Sequence, residues 1–325
     1  MDKGIKMKKT AVVLLNLGGP SSQEEVKPFL LSLFSDPAII TLPNPFRFVL
    51  ARMVTKGRLK EAQHIYSLLG GGSPLLKNTK EQALALEAEL GEDFRVFVAM
   101  RHAAPLTDEV VKQVASYAPD EVVLLPLYPQ YSTTTTESSF KAWSKLTQGW
   151  KVPTRLIPFY PEEGGFIEAM KELTLSVYQG AQKYGTPRIL MTAHGLPEKI
   201  IKRGDPYQQH VEQTANRLVE SLGIASLDFI LCYQSRVGPL KWIGPYTEEE
   251  ILKTAQEKRP LVVIPLSFVS EHSETLVELD ITYRNMAHQA GCPAYHRVKT
   301  VQIHPSFIKG LAGLVRNDSF CSEGG

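Results

Sequence analysis

The run Arg188-Ile189-Leu190-Met191-Thr192-Ala193-His194-Gly195-Leu196-Pro197 decides how this chain folds. Its first six residues are an apolar, β-rich stretch. Gly195 and Pro197 then break the strand, and a polar segment with helical spacing follows. The reading places a histidine at the carboxyl end of a parallel strand, the edge where open α/β sheets build their sites. A neutral imidazole there can accept a proton or bind a metal near neutral pH. A hydrogen-bonded histidine buried in the turn would look the same, and position alone does not choose.

Outward from this stretch, seven more short apolar runs can be read. Asp228–Tyr233, Leu261–Phe268 and Val298–Ile303 follow it; Ala11–Leu17, Phe94–Met100, Glu121–Leu127 and Thr154–Phe159 precede it. Most are continuously hydrophobic, as parallel strands covered on both faces are. Amphipathic segments such as Asn78–Leu90 and His210–Leu222 separate several of them.

The first four strands resemble the second four in detail. Leu124-Leu125-Pro126-Leu127 is echoed by Val263-Ile264-Pro265-Leu266. Ile157-Pro158-Phe159-Tyr160-Pro161 before one helix is echoed by Gln302-Ile303-His304-Pro305 before another. The fold class expected is α/β, with two similar Rossmann-like domains, 1–160 and 161–325. Each has a four-stranded parallel sheet flanked by helices. A cleft between them would be lined by strand ends from both.

Composition narrows the function. The chain is 43% hydrophobic and 22% charged with a formal net charge of +2, so no basic surface argues for nucleic acid. Three separate cysteines (Cys232, Cys292, Cys321) form no C-x-x-C pair, which suits a reduced, cytoplasmic setting. No run reaches the ~18 apolar residues of a membrane-spanning helix. Asn16-Leu17-Gly18-Gly19-Pro20 is not a dinucleotide fingerprint, since its proline removes an amide donor. Gly70-Gly71-Gly72-Ser73-Pro74 lacks the Lys-Ser/Thr of a P-loop and reads as a turn or a close backbone approach. The segment Phe29–Val54 is rich in Phe and Leu but broken by Pro37, Pro43 and Pro45. It reads as core, or as an apolar lip over a flat ligand or a membrane.

The run Ser270-Glu271-His272-Ser273-Glu274-Thr275-Leu276-Val277-Glu278 follows the seventh strand. As a helix it would set Glu271, Glu274 and Glu278 on one face at i, i+3 and i+7. Such a stripe is commonly solvated surface. Beside His194 it would also bind a divalent cation or pass protons.

Taken in order, the motifs carry a resemblance. They are Leu15-Asn16-Leu17-Gly18-Gly19-Pro20, Gly70-Gly71-Gly72-Ser73-Pro74, Met100-Arg101-His102, Leu127-Tyr128-Pro129-Gln130-Tyr131-Ser132, Ala193-His194-Gly195-Leu196-Pro197, Gln234-Ser235-Arg236-Val237-Gly238-Pro239 with Trp242, and Ser270–Leu276. From Thr10 to Val315 the chain resembles the ferrochelatases, which insert ferrous iron into a porphyrin to make haem. The resemblance implies a porphyrin cleft between the domains. It implies that His194 is essential and marks the metal and proton-handling site with Glu274, and that Glu271, His272 and Glu278 form an acidic path away from it. It sets Arg58, Tyr66 and Ser73 where porphyrin propionates are contacted in vertebrate members, Leu17, Arg101, Tyr131 and Trp242 along the cleft, and the Phe29–Val54 region as a hydrophobic lip.

It further implies protoporphyrin IX and ferrous iron as substrates, in a cytoplasmic protein with peripheral membrane contact through the lip. Leu17 departs from the methionine or tyrosine of many members and offers packing without a ligand. No permanently bound cofactor is expected. An iron–sulfur cluster is not expected either, because the C-terminal tail has only Cys321 and the mid-chain position reads Ser132-Thr133-Thr134-Thr135-Thr136. Chelatases for coproporphyrin III or a cobalt-corrin precursor share the architecture. A non-catalytic porphyrin carrier would need neither His194 nor the carboxylates in this form.

Overall fold

The computed structural model describes residues 8–317. The first half runs β1 (Thr10–Asn16), α1 (Val26–Ser35), α2 (Phe46–Ser67), α3 (Leu75–Leu90), β2 (Phe94–Met100), α4 (Thr107–Tyr117), β3 (Glu121–Pro126), α5 (Thr136–Leu146) and β4 (Thr154–Leu156). The second runs α6 (Gly164–Ala181), β5 (Arg188–His194), α7 (Glu198–Ile201), α8 (Tyr207–Leu222), β6 (Phe229–Gln234), α9 (Thr247–Gln256), β7 (Leu261–Pro265), a π-helix (Glu274–Tyr283), α10 (Arg284–Gln289), β8 (Tyr295–Arg297) and α11 (Pro305–Arg316). The sheets have matching strand orders, β2-β1-β3-β4 and β6-β5-β7-β8, and every pairing is parallel. In each the chain reverses its direction of growth beside the first strand, which places a crevice at the carboxyl ends of β1 and β5.

Every residue of β1 is buried. Ala11, Val13 and Leu15 pack with Val110 and Val114 of α4 and Trp143 of α5. Val12 and Leu14 face the other way, toward Leu86 and Leu90 of α3. That second layer is shared, because it continues through α6, α8 and α11 to Ile189 and Met191 of β5. Phe166 of α6 and Phe307 of α11 meet with ring centroids 5.8 Å apart. The last helix is fastened to the first half: Arg155 of β4 donates to the carbonyls of Leu314, Val315 and Asn317. A guanidinium there meets both the unsatisfied carbonyls and the negative end of the helix dipole.

Several expected strands end early. β3 and β7 stop at Pro126 and Pro265, where the ladder loses an amide. The eighth strand needs correcting: it is Tyr295–Arg297, not Val298–Ile303. Val298 and Val301 belong to a loop whose apolar side chains are buried in the shared core, and Gln302 takes a left-handed φ of 44°. The expected boundary at 160/161 falls in the turn between β4 and α6.

The Phe29–Val54 region divides. Phe29 and Leu30 pack with Val26 and Tyr66, while Phe46, Val49 and Met53 on α2 are 66%, 54% and 66% exposed. The glycine-rich turn is a close backbone approach. A Cβ on Gly72 would lie 2.3 Å from the Ser21 carbonyl oxygen, and the Ser73 amide donates to the Pro20 carbonyl at 2.7 Å.

Candidate active site

His194 ends β5, and Gln234 ends β6 directly beside it. Beyond them Gly195 lets the backbone pass the Gln234 carbonyl and the Trp242 ring, which a Cβ would meet at 3.1 and 3.2 Å. The loop after β7 returns over this edge, and the π-helix begins at Glu274. His194 Nδ1 and Glu274 Oε2 are 2.9 Å apart. Burial opposes charge on the imidazole, but Glu274, and Glu278 behind it, outweigh that and raise the His194 pKa. Glu274 keeps partial exposure; desolvation opposes its charge too, yet His194, His272 and Ser235 hold it as a carboxylate with a pKa of about 2. With Nδ1 engaged, Nε2 is the ring nitrogen left without a protein partner among the described residues.

Ser235 joins the two carboxylates. Its hydroxyl donates to Glu278 Oε2 at 2.5 Å and lies 3.5 Å from Glu274 Oε2, while its amide donates to Glu278 Oε1 at 3.1 Å. Gln234 Nε2 and Tyr283 Oη donate to Glu278 at 3.0 and 2.9 Å. Burial, and then the neighbouring Glu274 charge, raise the Glu278 pKa despite these bonds. The wide i→i+5 turn of a π-helix keeps residues four apart within a single turn. Ser235 reaches both carboxylates from a left-handed φ of 63°, a strained conformation for a serine. Gln234, Ser235 and Tyr283 were not among the residues expected here. The Gln-Ser motif was the available signal, but the backbone strain that aims the serine leaves no mark in sequence.

The expectation that Glu271 shares a helix face with Glu274 and Glu278 is corrected. Glu271 precedes the helix, and its carboxylate is held by Arg297 Nη1 at 2.9 and 3.1 Å and by the Thr300 amide at 3.0 Å. Burial works against that charge, but Arg297 keeps the Glu271 pKa lowered. His272 is pushed down by burial, and its Nδ1 accepts the Glu274 amide at 3.1 Å.

The other expected residues scatter around this centre. Tyr66, at the end of α2, bonds to Ser273; its pKa is pushed up to about 12, by burial first and by Glu274 as well. Trp242 stands 6.2 Å from His194, ring to ring, with its Nε1 donating to Val237. Leu17 lies just past β1, where its carbonyl accepts the His102 amide. Arg101 beside it pairs with Asp36. The Tyr131 amide donates to His210 of the second half at 3.2 Å. Ser73 accepts from the Leu75 amide at 3.3 Å. Arg58 faces Glu61 at 3.7 Å on its own helix and makes no contact with His194 or Glu274. From the first half, α3 clamps the returning loop: Gln82 Nε2 donates to the Val269 and Gln302 carbonyls, and Asn78 donates to that of Glu271.

Two like-folded parallel sheets with an imidazole–carboxylate pair on the cleft side define a chelatase. The solved structures agree on the fold. The sirohydrochlorin chelatase SirB from Bacillus subtilis subspecies spizizenii, in complex with cobalt, aligns over 95% of this chain and 94% of its own, with TM-score 0.54 and 11% identity. CbiX, described as the terminal enzyme of sirohaem biosynthesis in denitrifying bacteria, aligns over 95% and 98%, with TM-score 0.52 and 15% identity. The family described as Ferrochelatase matches residues 9–319, and this chain belongs to it. It is 50% identical over 315 residues to the ferrochelatase of Wolbachia sp. subsp. Drosophila simulans (strain wRi), covering 95% of this chain and 99% of that one. It is also 50% identical over 317 residues to the ferrochelatase of Caulobacter vibrioides (strain NA1000 / CB15N), covering 95% and 90%. The protein is thus an enzyme of haem biosynthesis, a lyase that inserts iron into a porphyrin.

Proposed function

We propose that the porphyrin is protoporphyrin IX and that His194 is the base of the insertion. The observation that carries the base's role is the His194–Glu274 pair, 2.9 Å apart at the carboxyl end of β5, while the choice of porphyrin follows the family resemblance of the Tyr128–Tyr131 and Gln234–Pro239 segments with Trp242. As Fe²⁺ enters the ring, two pyrrole N–H protons leave. Neutral His194 takes one at Nε2, and the Glu274 carboxylate on Nδ1 stabilises the imidazolium that forms. Until Nε2 is protonated, its lone pair and the Glu274 carboxylate are the donors that would meet the incoming iron. Glu278, with its raised pKa, is the next acceptor, reached through the Ser235 hydroxyl. Puckering of the macrocycle draws on binding contacts along the cleft, which include Leu17, Arg101, Tyr131 and Trp242. No resident iron–sulfur cluster enters this reading: Cys232 is buried against Met191 and Thr247, and Cys292 against Arg259 and Ala294. Cys321 lies outside the described residues.

Purified protein given Fe²⁺ or Zn²⁺ with protoporphyrin IX or coproporphyrin III, followed by absorbance, tests the substrate. Faster insertion into protoporphyrin IX is expected; preference for coproporphyrin III overturns that choice. Stoichiometric iron and sulfide in anaerobically purified protein would overturn the cluster-free reading.

The exposed Phe46, Val49 and Met53 support peripheral membrane contact. Among the described residues no helix is long and apolar enough to cross a membrane. Vesicle co-sedimentation that is lost in a Phe46→Ser/Met53→Ser variant is the expected result. Equal sedimentation of the variant refutes the contact.

A further inference from the structure

Asp36 is a buried carboxylate at the point where α1 ends and the lip segment begins, 4% exposed. Its Oδ1 accepts the Ala38 amide at 2.9 Å, and its carbonyl accepts the amides of Ile39 and Ile40. These bonds shape the turn through which the chain leaves the body toward Leu42 and Phe46. Its Oδ2 accepts the Ser138 hydroxyl of α5 at 2.6 Å and Arg101 Nη2 at 2.7 Å. Arg101 Nε also donates to the Ser138 hydroxyl, at 2.8 Å. One edge of the guanidinium is therefore fixed by a closed triangle of bonds, and Nη1 remains for another partner. The Arg101 side chain keeps 25% exposure. Burying a carboxylate is costly unless it is paired; His102 Nε2 lies 3.7 Å from Oδ2, and the hydrogen bonds the carboxylate accepts come from Arg101, Ser138 and the turn into the lip.

We infer that Asp36 is a positioning residue for porphyrin binding, presenting Arg101 to the carboxylate-bearing macrocycle. An arginine locked on one edge is pre-organised to accept a planar anion on the other, so less rotamer freedom is lost when substrate binds. The inference rests on the reading of Arg101 as a cleft residue.

The test is a double-mutant cycle of Asp36→Asn and Arg101→Ala, with protoporphyrin IX and Zn²⁺ as substrates. The porphyrin KM, the metal KM, kcat and the melting temperature are read for each variant. Asp36→Asn is expected to raise the porphyrin KM about tenfold, leaving kcat and the metal KM within about twofold. The double variant is expected to be no worse than Arg101→Ala alone, because Asp36 acts through Arg101. Additive losses, equal damage to kcat and metal KM, or a lowered porphyrin KM would each overturn the inference; the last would mean that Asp36 competes with substrate for the arginine. An unchanged porphyrin KM in Arg101→Ala would instead overturn the cleft reading, and this proposal with it. If Asp36→Asn does not fold, Ser138→Ala removes one side of the triangle and enters the same cycle with the same expectations.

Discussion

His194 has to be neutral to take a pyrrole proton, yet Glu274 raises its pKa above the ordinary value. The sign follows directly: the neutral form grows as pH rises through that raised pKa. The acid limb of kcat/KM is therefore expected above about pH 6.5. Glu274→Gln removes the charge that lifts it, so the limb should move to lower pH while the rate falls about 10²–10⁴-fold. A limb that stays in place would show that another group sets the profile. Glu278→Gln should cost far less and appear mainly in the metal-concentration dependence, because Glu278 lies one bond network further in. His194→Ala should abolish insertion with an unchanged circular dichroism spectrum. Near-normal turnover by that folded variant would make the imidazole structural.

At the scale of elements, the π-helix is anchored from both ends of one arginine fork. Arg297 of β8 holds Glu271 just before the helix and Asp280 within it, the latter at 2.6 Å. Arg297→Leu leaves buried Glu271 without its cation and Asp280 with Arg284 alone, and should cost about 3–5 kcal/mol in urea unfolding. A loss below 1 kcal/mol would show that solvent already screens the pair. This anchor also explains what sequence could and could not tell. Continuous apolar runs revealed seven strands, because strands covered on both faces need hydrocarbon at every position. The eighth misled, since a buried loop carrying Val298 and Val301 has the same composition as a strand. His194 and Glu274 were legible as types at a strand edge. The separate fate of Glu271 was not, because i, i+3 spacing assumes a regular helix that begins earlier than this one does. Ser235 was invisible as a bridge for a related reason, its role depending on a φ of 63° rather than on its neighbours in sequence.

For the molecule as a whole, one hydrophobic layer serves both sheets, and the chain's last helix is pinned to the first half by Arg155. The two halves should therefore unfold together. Trp143 lies in the first half's core and Trp242 beside His194, so in the unaltered protein tryptophan fluorescence and circular dichroism should report the same urea midpoint. Midpoints that separate would mean two independent folding units. The matching strand orders have one more consequence. The Leu127 amide bonds to the Leu15 carbonyl and the Leu266 amide bonds to the Thr192 carbonyl, so counting two residues on makes Leu17 and His194 equivalent positions. The same backbone slot holds a hydrocarbon in one copy and an ionisable ring in the other. The proposed placement of the porphyrin between the copies would set it against an inert wall on one side and, with Glu274 and Glu278 behind His194, a reactive wall on the other.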